Sequence, residues 1–267
     1  MSERILLFVP CYNCAAQIGR VLGQVRGPAG ARVEEILVLD NGSDDGTVDE
    51  ARKAMSGLQG PRVTIARNRS NYHLGGSHKA AFAYAAEHGF SHVLVLHGDD
   101  QGRLEDILPV LERGDHKSHD ACLGARFMSG SRLEGYASHR RLGNAVFNLI
   151  FSAVTGRRIC DLGSGLNVFG HAVFSDPRVT LCSDDLRFNV FLLLQLIDRR
   201  RRLTFFPISW REEDQVSNVR LVSQALRTLA IAWDYLARRS HFRAADHRDR
   251  PVTAYVFDVL FRTPAHA

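Results

Sequence analysis

His92-Val93-Leu94-Val95-Leu96-His97-Gly98-Asp99-Asp100-Gln101 carries four consecutive apolar residues into an end of polar residues and glycine. A short apolar run without alternation reads as a strand buried on both faces. The same grammar recurs to either side. Ile5 to Val9 is apolar and stops at Pro10, and Glu35 to Leu39 ends at Asp40. Val63 to Ala66 is a further strand. Between them lie helical patterns, predicted over Ala15 to Val25, Thr47 to Met55, Ser77 to His88 and Leu104 to Arg113. Gly42 to Gly46 supplies a turn. Strands joined by helices imply right-handed crossovers and a mostly parallel sheet flanked by helices, an α/β fold of Rossmann-like character. Such sheets bind ligands beyond the carboxyl ends of their strands. Polar clusters stand at those ends: Pro10 to Asn13, Asp40 to Asp45 and His97 to Gln101.

The rhythm loosens after the strand-like segment Ala121 to Gly124. Helices are predicted over Arg140 to Val154, Val190 to Ile197 and Leu221 to Leu236. A glycine-rich turn lies at Leu162 to Gly165, and a strand at Leu203 to Phe206. No repeat or linker appears, so residues 1–236 read as one domain and 237–267 as a charged, partly ordered tail.

The chain has 267 residues, 45% hydrophobic and 24% charged, enough for one domain with a substantial core. Its formal charge of +5, with arginines crowding the second half, suits an anionic partner such as a nucleotide, a lipid phosphate or a membrane surface. No aromatic-rich RNA-binding signature accompanies the arginines, so nucleic acid is not expected. No apolar run approaches the roughly 20 residues of a spanning helix. The N-terminus lacks the pattern of a signal peptide. Five cysteines without framework spacing fit a reducing compartment, and the expected location is cytoplasmic, with peripheral membrane contact open. Cys11 and Cys14 form a C-x-x-C, but no second pair follows at zinc spacing.

Four stretches in order carry a resemblance. They are Pro10-Cys11-Tyr12-Asn13, Leu39-Asp40-Asn41-Gly42-Ser43-Asp44-Asp45-Gly46-Thr47, Leu96-His97-Gly98-Asp99-Asp100-Gln101, and Gly124-Ala125-Arg126-Phe127 followed by Arg140-Arg141 and Asp161 to Leu166. Together they resemble the family 2 glycosyltransferases of GT-A fold, and among these the polyprenyl-phosphate (dolichyl-phosphate) sugar synthases. The resemblance implies an inverting enzyme that moves a sugar from a UDP- or GDP-sugar to an acceptor. That acceptor is a polyprenyl phosphate or, alternatively, a soluble glycan or small molecule. It implies nucleotide contacts from Pro10, Tyr12, Asn13, Asp40, Asn41, Gly98 and Asp99. Lys79, on a helix opened by a glycine loop, faces either phosphate or solvent.

A divalent cation, Mg²⁺ or Mn²⁺, is implied at the D-x-D position, where Asp99 stands for the second aspartate. His97 replaces the first, as a metal ligand or as a donor to ribose or phosphate. Asp100 follows, but neighbouring side chains on an extended segment point apart. Asp184 and Asp185 are candidates for the base that deprotonates an alcohol acceptor, or for a helix cap. Arg126, Arg140, Arg141, Arg211 and Ser217 are candidates for the diphosphate or the acceptor. Two rivals remain. A sugar-phosphate nucleotidyltransferase would want a glycine-rich basic signature after the first strand, which Pro10 to Asn13 is not. The lost first aspartate leaves open a non-catalytic nucleotide-sugar-binding module.

Overall fold

The computed structural model describes residues 3–212 and 221–263. Its strands are β1 (Ile5–Cys11), β2 (Glu35–Asp40), β3 (Arg62–Asn68), β4 (His92–Leu96), β5 (Ala121–Ala125), β6 (Arg132–Glu134), β7 (Leu166–Gly170), β8 (Leu203–Pro207), β9 (Ser209–Arg211) and β10 (Phe257–Arg262). Its helices are α1 (Ala15–Gly23), α2 (Thr47–Met55), α3 (His73–Glu87), α4 (Leu108–Glu112), α5 (Asp115–Ser118), α6 (Ser138–Thr155), α7 (His171–Phe174), α8 (Phe188–Asp198), α9 (Leu221–Ala237) and α10 (Arg239–Ala244). Eight strands form one sheet in the order β10-β3-β2-β1-β4-β7-β5-β8, while β6 and β9 pair separately.

β1 shows why the apolar runs become central strands. All seven of its residues are buried. Successive side chains alternate, so Leu6 and Phe8 enter the core beneath α3 and α8. Ile5, Leu7 and Val9 enter the core beneath α1 and α2. β1, β2, β3 and β4 pair in parallel as the crossover pattern demands.

Two strands depart from the expected pattern. β7 runs antiparallel between β4 and β5, in the stretch just after the glycine turn. Its apolar run is interrupted by Asn167, which is buried because its side chain accepts from Gly124 N at 3.2 Å and donates to Ser164 O at 2.8 Å. The second departure corrects the domain boundary at 236. β10 pairs antiparallel with β3 and forms the sheet edge, so residues 257–262 belong to the domain. The charged segment before it is also anchored. Asp198, at the end of α8, accepts from Tyr235 OH at 2.8 Å, Arg239 at 2.8 Å and Arg243 at 2.9 Å, binding α9 and α10 to the body.

Burial alone would raise the Asp198 pKa, but these donors outweigh it and hold it near 2. A depressed carboxyl stabilises the fold above its unfolded pKa of roughly 4, and that contribution is lost as pH falls through 2. Asp198→Asn is therefore expected to melt below the wild type at neutral pH. The gap should close in thermal scans taken from pH 4 downward.

Candidate active site

The carboxyl ends of β1, β2 and β4 meet at one edge of the sheet, laced by main-chain bonds. Gly98 N donates to Pro10 O at 3.1 Å, and Asn41 N donates to Cys11 O at 2.9 Å. Asn13, at φ 48°, donates its N–H to Ser43 Oγ at 2.9 Å and accepts at its side chain from Asp44 N at 3.2 Å. Pro10, Asn13, Asp40, Asn41, Gly98 and Asp99 are thus brought to one edge, and Tyr12 projects from it, 54% exposed. Gly98 is glycine for packing reasons. A Cβ there would stand 2.9 Å from Cys11 Sγ and 3.0 Å from Pro10 O. Both cysteines beneath it are buried and reduced. The Cys14 side chain and burial raise the Cys11 thiol pKa well above normal, the opposite of a reactive thiolate.

Asp40 is fully buried, and its carboxylate accepts from Arg67 Nε at 2.6 Å and Ser43 N at 3.2 Å. Asn41 does not point outward as a free group. Its Oδ1 accepts from Asn68 Nδ2 and Tyr72 N, each at 2.9 Å, while its Nδ2 donates to Asn71 at 2.7 Å. It braces the start of α3 against β3.

Asp99 and Asp100 lie in a turn rather than an extended segment, with Asp100 at φ 59°. Asp100 is 1% exposed and held by Arg20 Nε at 2.6 Å and by Arg211. It serves as an anchor between the two arginines. Arg211 is correspondingly occupied by Asp100. Asp99 stays at the edge, where burial pushes its pKa up to about 6. His97 has its Nε2 buried without a hydrogen-bond partner. Burial first, then the nearby Arg126, lowers its pKa to about 4, so the ring is neutral at physiological pH. Among the described residues no group of three or more His, Cys, Asp or Glu can hold a metal alone. A carboxylate whose ionisation burial disfavours and a neutral imidazole with an orphaned nitrogen do fit a divalent cation that takes its remaining ligands from a diphosphate and water.

Arg126 is half-buried and locked to Asp161 by bonds of 2.8 Å from both Nε and Nη2, with a further bond to Gly163 O at 2.9 Å. Its guanidinium also lies 5.0 Å from the Trp210 ring. Burial opposes its charge, yet Asp161 raises its pKa. Arg140 pairs with Glu212 at 2.5 Å and stacks 4.9 Å over Tyr136. Arg141 is exposed, and its Nη2 donates to Leu133 O at 3.3 Å. Ser217 lies outside the described residues.

The structure overturns the phosphate-facing and the solvent-facing reading of Lys79 alike. Its side chain is 1% exposed and its Nζ donates to Asp184 Oδ1 at 2.6 Å, Cys182 O at 2.5 Å and Tyr255 OH at 3.2 Å. The α3 N-terminus is occupied too: Gly75 and Gly76 N–H both donate to Asp184 O, at 2.6 and 3.2 Å. Gly75 permits this contact. A Cβ on Gly75 would overlap the Ser183 carbonyl and stand 2.7 Å from Phe188 Cβ. Gly75→Ala is accordingly expected to cost about 1–3 kcal/mol in urea unfolding, by forcing the 183–185 loop away from α3.

Asp185 organises the turn before α8 and does not cap the helix, whose N-cap residue is Arg187. It accepts from Arg187 N at 2.8 Å, Arg187 Nε at 2.8 Å and Ser183 Oγ at 2.9 Å, in a turn that leads into α8. Burial raises its pKa, but these donors pull it below the usual carboxylate value.

The profile of glycosyl transferase family 2 matches residues 7–176, well over half of the chain. The chain belongs to glycosyl transferase family 2. No curated protein matches it in sequence. Solved structures similar to this transferase include glucosyl-3-phosphoglycerate synthase from Mycobacterium tuberculosis bound to phosphoglyceric acid. Identity is 14%, with a TM-score of 0.63, over 88% of this chain and 80% of that one. A complex of that synthase with Mn²⁺, UDP-glucose and phosphoglyceric acid aligns over 99% and 90% at 13% identity and TM-score 0.63. Mannosyl-3-phosphoglycerate synthase from Rubrobacter xylanophilus aligns over 89% and 75% at 16% identity and TM-score 0.57. At these identities the likeness establishes a shared GT-A fold: a mixed, mostly parallel sheet flanked by helices in a single domain.

Within that fold, three residues of this transferase escaped sequence reasoning as site components. Arg67 grips Asp40 from the next strand, Asp161 holds Arg126, and Glu212 holds Arg140. All three are partners across the fold, separated from the groups they hold by 27, 35 and 72 residues. No local pattern marks such pairs.

Proposed function

We propose that this family 2 transferase moves a sugar from a UDP- or GDP-sugar to a phosphate-bearing acceptor, with inversion at the anomeric carbon. The donor reading rests on the β1, β2 and β4 edge, where Tyr12 offers an exposed ring to a base, while Asp40 stands at the same strand end buried against Arg67. Asp99, with His97 beside it, would hold a divalent cation that neutralises charge on the departing diphosphate.

The acceptor class follows from one observation, that both candidate bases are engaged in ion pairs. Asp184 is bound to Lys79, and Asp185 to Arg187. A general base works best with a pKa near the operating pH, and Asp185 is shifted the other way. A phosphate oxygen is already ionised and needs no base. A polyprenyl phosphate meets this requirement directly, and a small phosphorylated acid such as phosphoglycerate meets it where its phosphate oxygen, rather than its hydroxyl, attacks. The cation-dependent reading is supported by the complex of a similar fold with Mn²⁺ and UDP-glucose.

The test has two arms. Thermal shifts with UDP, GDP and their sugars, with and without Mn²⁺ or Mg²⁺, should show metal-dependent stabilisation by one base. Product analysis with that donor should then show transfer to phosphoglycerate or to a polyprenyl phosphate, and none to the matching dephosphorylated alcohols. Faster transfer to the alcohols would overturn the acceptor reading. Absence of both nucleotide binding and turnover would overturn the enzyme reading in favour of a binding module.

A further inference from the structure

Seven of the twelve exposed large hydrophobic side chains among the described residues lie on two helices, α6 and α9, which pack against each other. On α6, Leu142, Val146 and Leu149 recur at i, i+4 and i+7. On α9, Leu226, Leu229, Trp233 and Leu236 recur at i, i+3, i+7 and i+10. Each spacing places its set on one helix face. Each helix already has a core-facing side, through Phe151 on α6 and through Ile231, Ala232 and Tyr235 on α9. The exposed stripes are therefore second apolar faces that folding leaves uncovered, with Trp233 69% and Leu149 71% exposed. Single exposed hydrophobics are ordinary, whereas a clustered set marks a contact surface.

The charge around the stripes selects the partner. α6 contains no acidic residue, and α9 contains one, the half-buried Asp234. Arg141, Arg157, Arg158, Arg227 and Arg238 are exposed on these helices or at their ends, and none forms an ion pair among the described residues. A second copy docking face to face through a two-fold would set these arginines against themselves. An anionic lipid surface attracts them, receives the leucines and suits an amphipathic tryptophan at headgroup depth. No helix among the described residues is long and apolar enough to cross a membrane. We propose that α6 and α9 form a docking face by which the protein seats on an anionic membrane surface. This holds whichever acceptor is used, and its test does not read transfer.

The chain has two tryptophans, and Trp210 is 5% exposed, so a change in emission on docking reports Trp233. Wild-type protein is titrated with vesicles of mixed phosphatidylcholine and phosphatidylglycerol, and with phosphatidylcholine alone. The expected result is a blue shift and co-sedimentation with the anionic vesicles, reversed by salt. Leu229→Ser with Trp233→Ser should weaken co-sedimentation about ten-fold or more. Arg227→Glu with Arg238→Glu should erase the preference for anionic lipid. All four positions are exposed, so circular dichroism should be unchanged in both variants. No binding to either vesicle, or binding indifferent to the Leu229/Trp233 pair, would overturn the proposal. So would a dimer in sedimentation velocity that the Leu229/Trp233 pair abolishes while vesicles fail to bind, which would assign the face to a second copy.

Discussion

Asp99→Ala is expected to lower kcat/KM for sugar transfer by about 10³-fold, close to 4 kcal/mol of lost transition-state stabilisation, while leaving the fold intact. Asp100 cannot substitute, because Arg20 and Arg211 already hold it in an almost fully buried pair. Nor can His97 supply negative charge, since its ring is neutral with a pKa near 4. Asp99, which accepts from Gln101 N at 3.3 Å, is the carboxylate of the 97–100 segment that we assign to a cation. His97→Ala should cost much less, about ten-fold, because it removes a neutral donor and no charge. Initial rates with the donor selected by thermal shift, at several Mn²⁺ concentrations, check both. Equal losses for the two variants would show that the imidazole carries as much of the site as the carboxylate. Full activity in Asp99→Ala would remove the cation from the mechanism.

The parts of this site that were legible in sequence are those written in local grammar. Apolar runs ending in Asp40 and Asp99 located the strand ends, because a strand buried on both faces leaves no other pattern. The turn from Gly42 to Gly46 and the helix from Thr47 to Met55 are where they were expected, since the turn chemistry and the helical period agree there. β7 was illegible because a buried asparagine interrupts it, and its tolerance depends on Gly124, 43 residues earlier, as well as on the nearby Ser164. β10 was illegible because its partner β3 lies about 190 residues earlier. Lys79 was misread for the same physical reason. A lysine near a glycine-opened helix start looks the same in sequence whether it faces phosphate or a carboxylate roughly a hundred residues away. Here the 183–185 loop presses onto Gly75 and decides the matter.

That placement of Lys79 carries the second large effect, and it separates the two readings of the residue. Lys79→Met is expected to destabilise the fold by about 3–5 kcal/mol, because it leaves the Asp184 carboxylate at a mostly buried site with no cation. Asp184→Asn leaves the buried ammonium with neutral acceptors and no countercharge, and should also be costly. Burial lowers the Lys79 pKa even though Asp184 pulls it upward, so desolvation outweighs the attraction between the pair. The double variant Lys79→Met/Asp184→Asn discards both desolvation costs together. It should recover most of the loss, a strongly non-additive cycle in urea unfolding. A lysine that served the donor diphosphate would behave differently. Its removal would leave unfolding unchanged and raise KM for the nucleotide sugar, and Asp184→Asn would not rescue it.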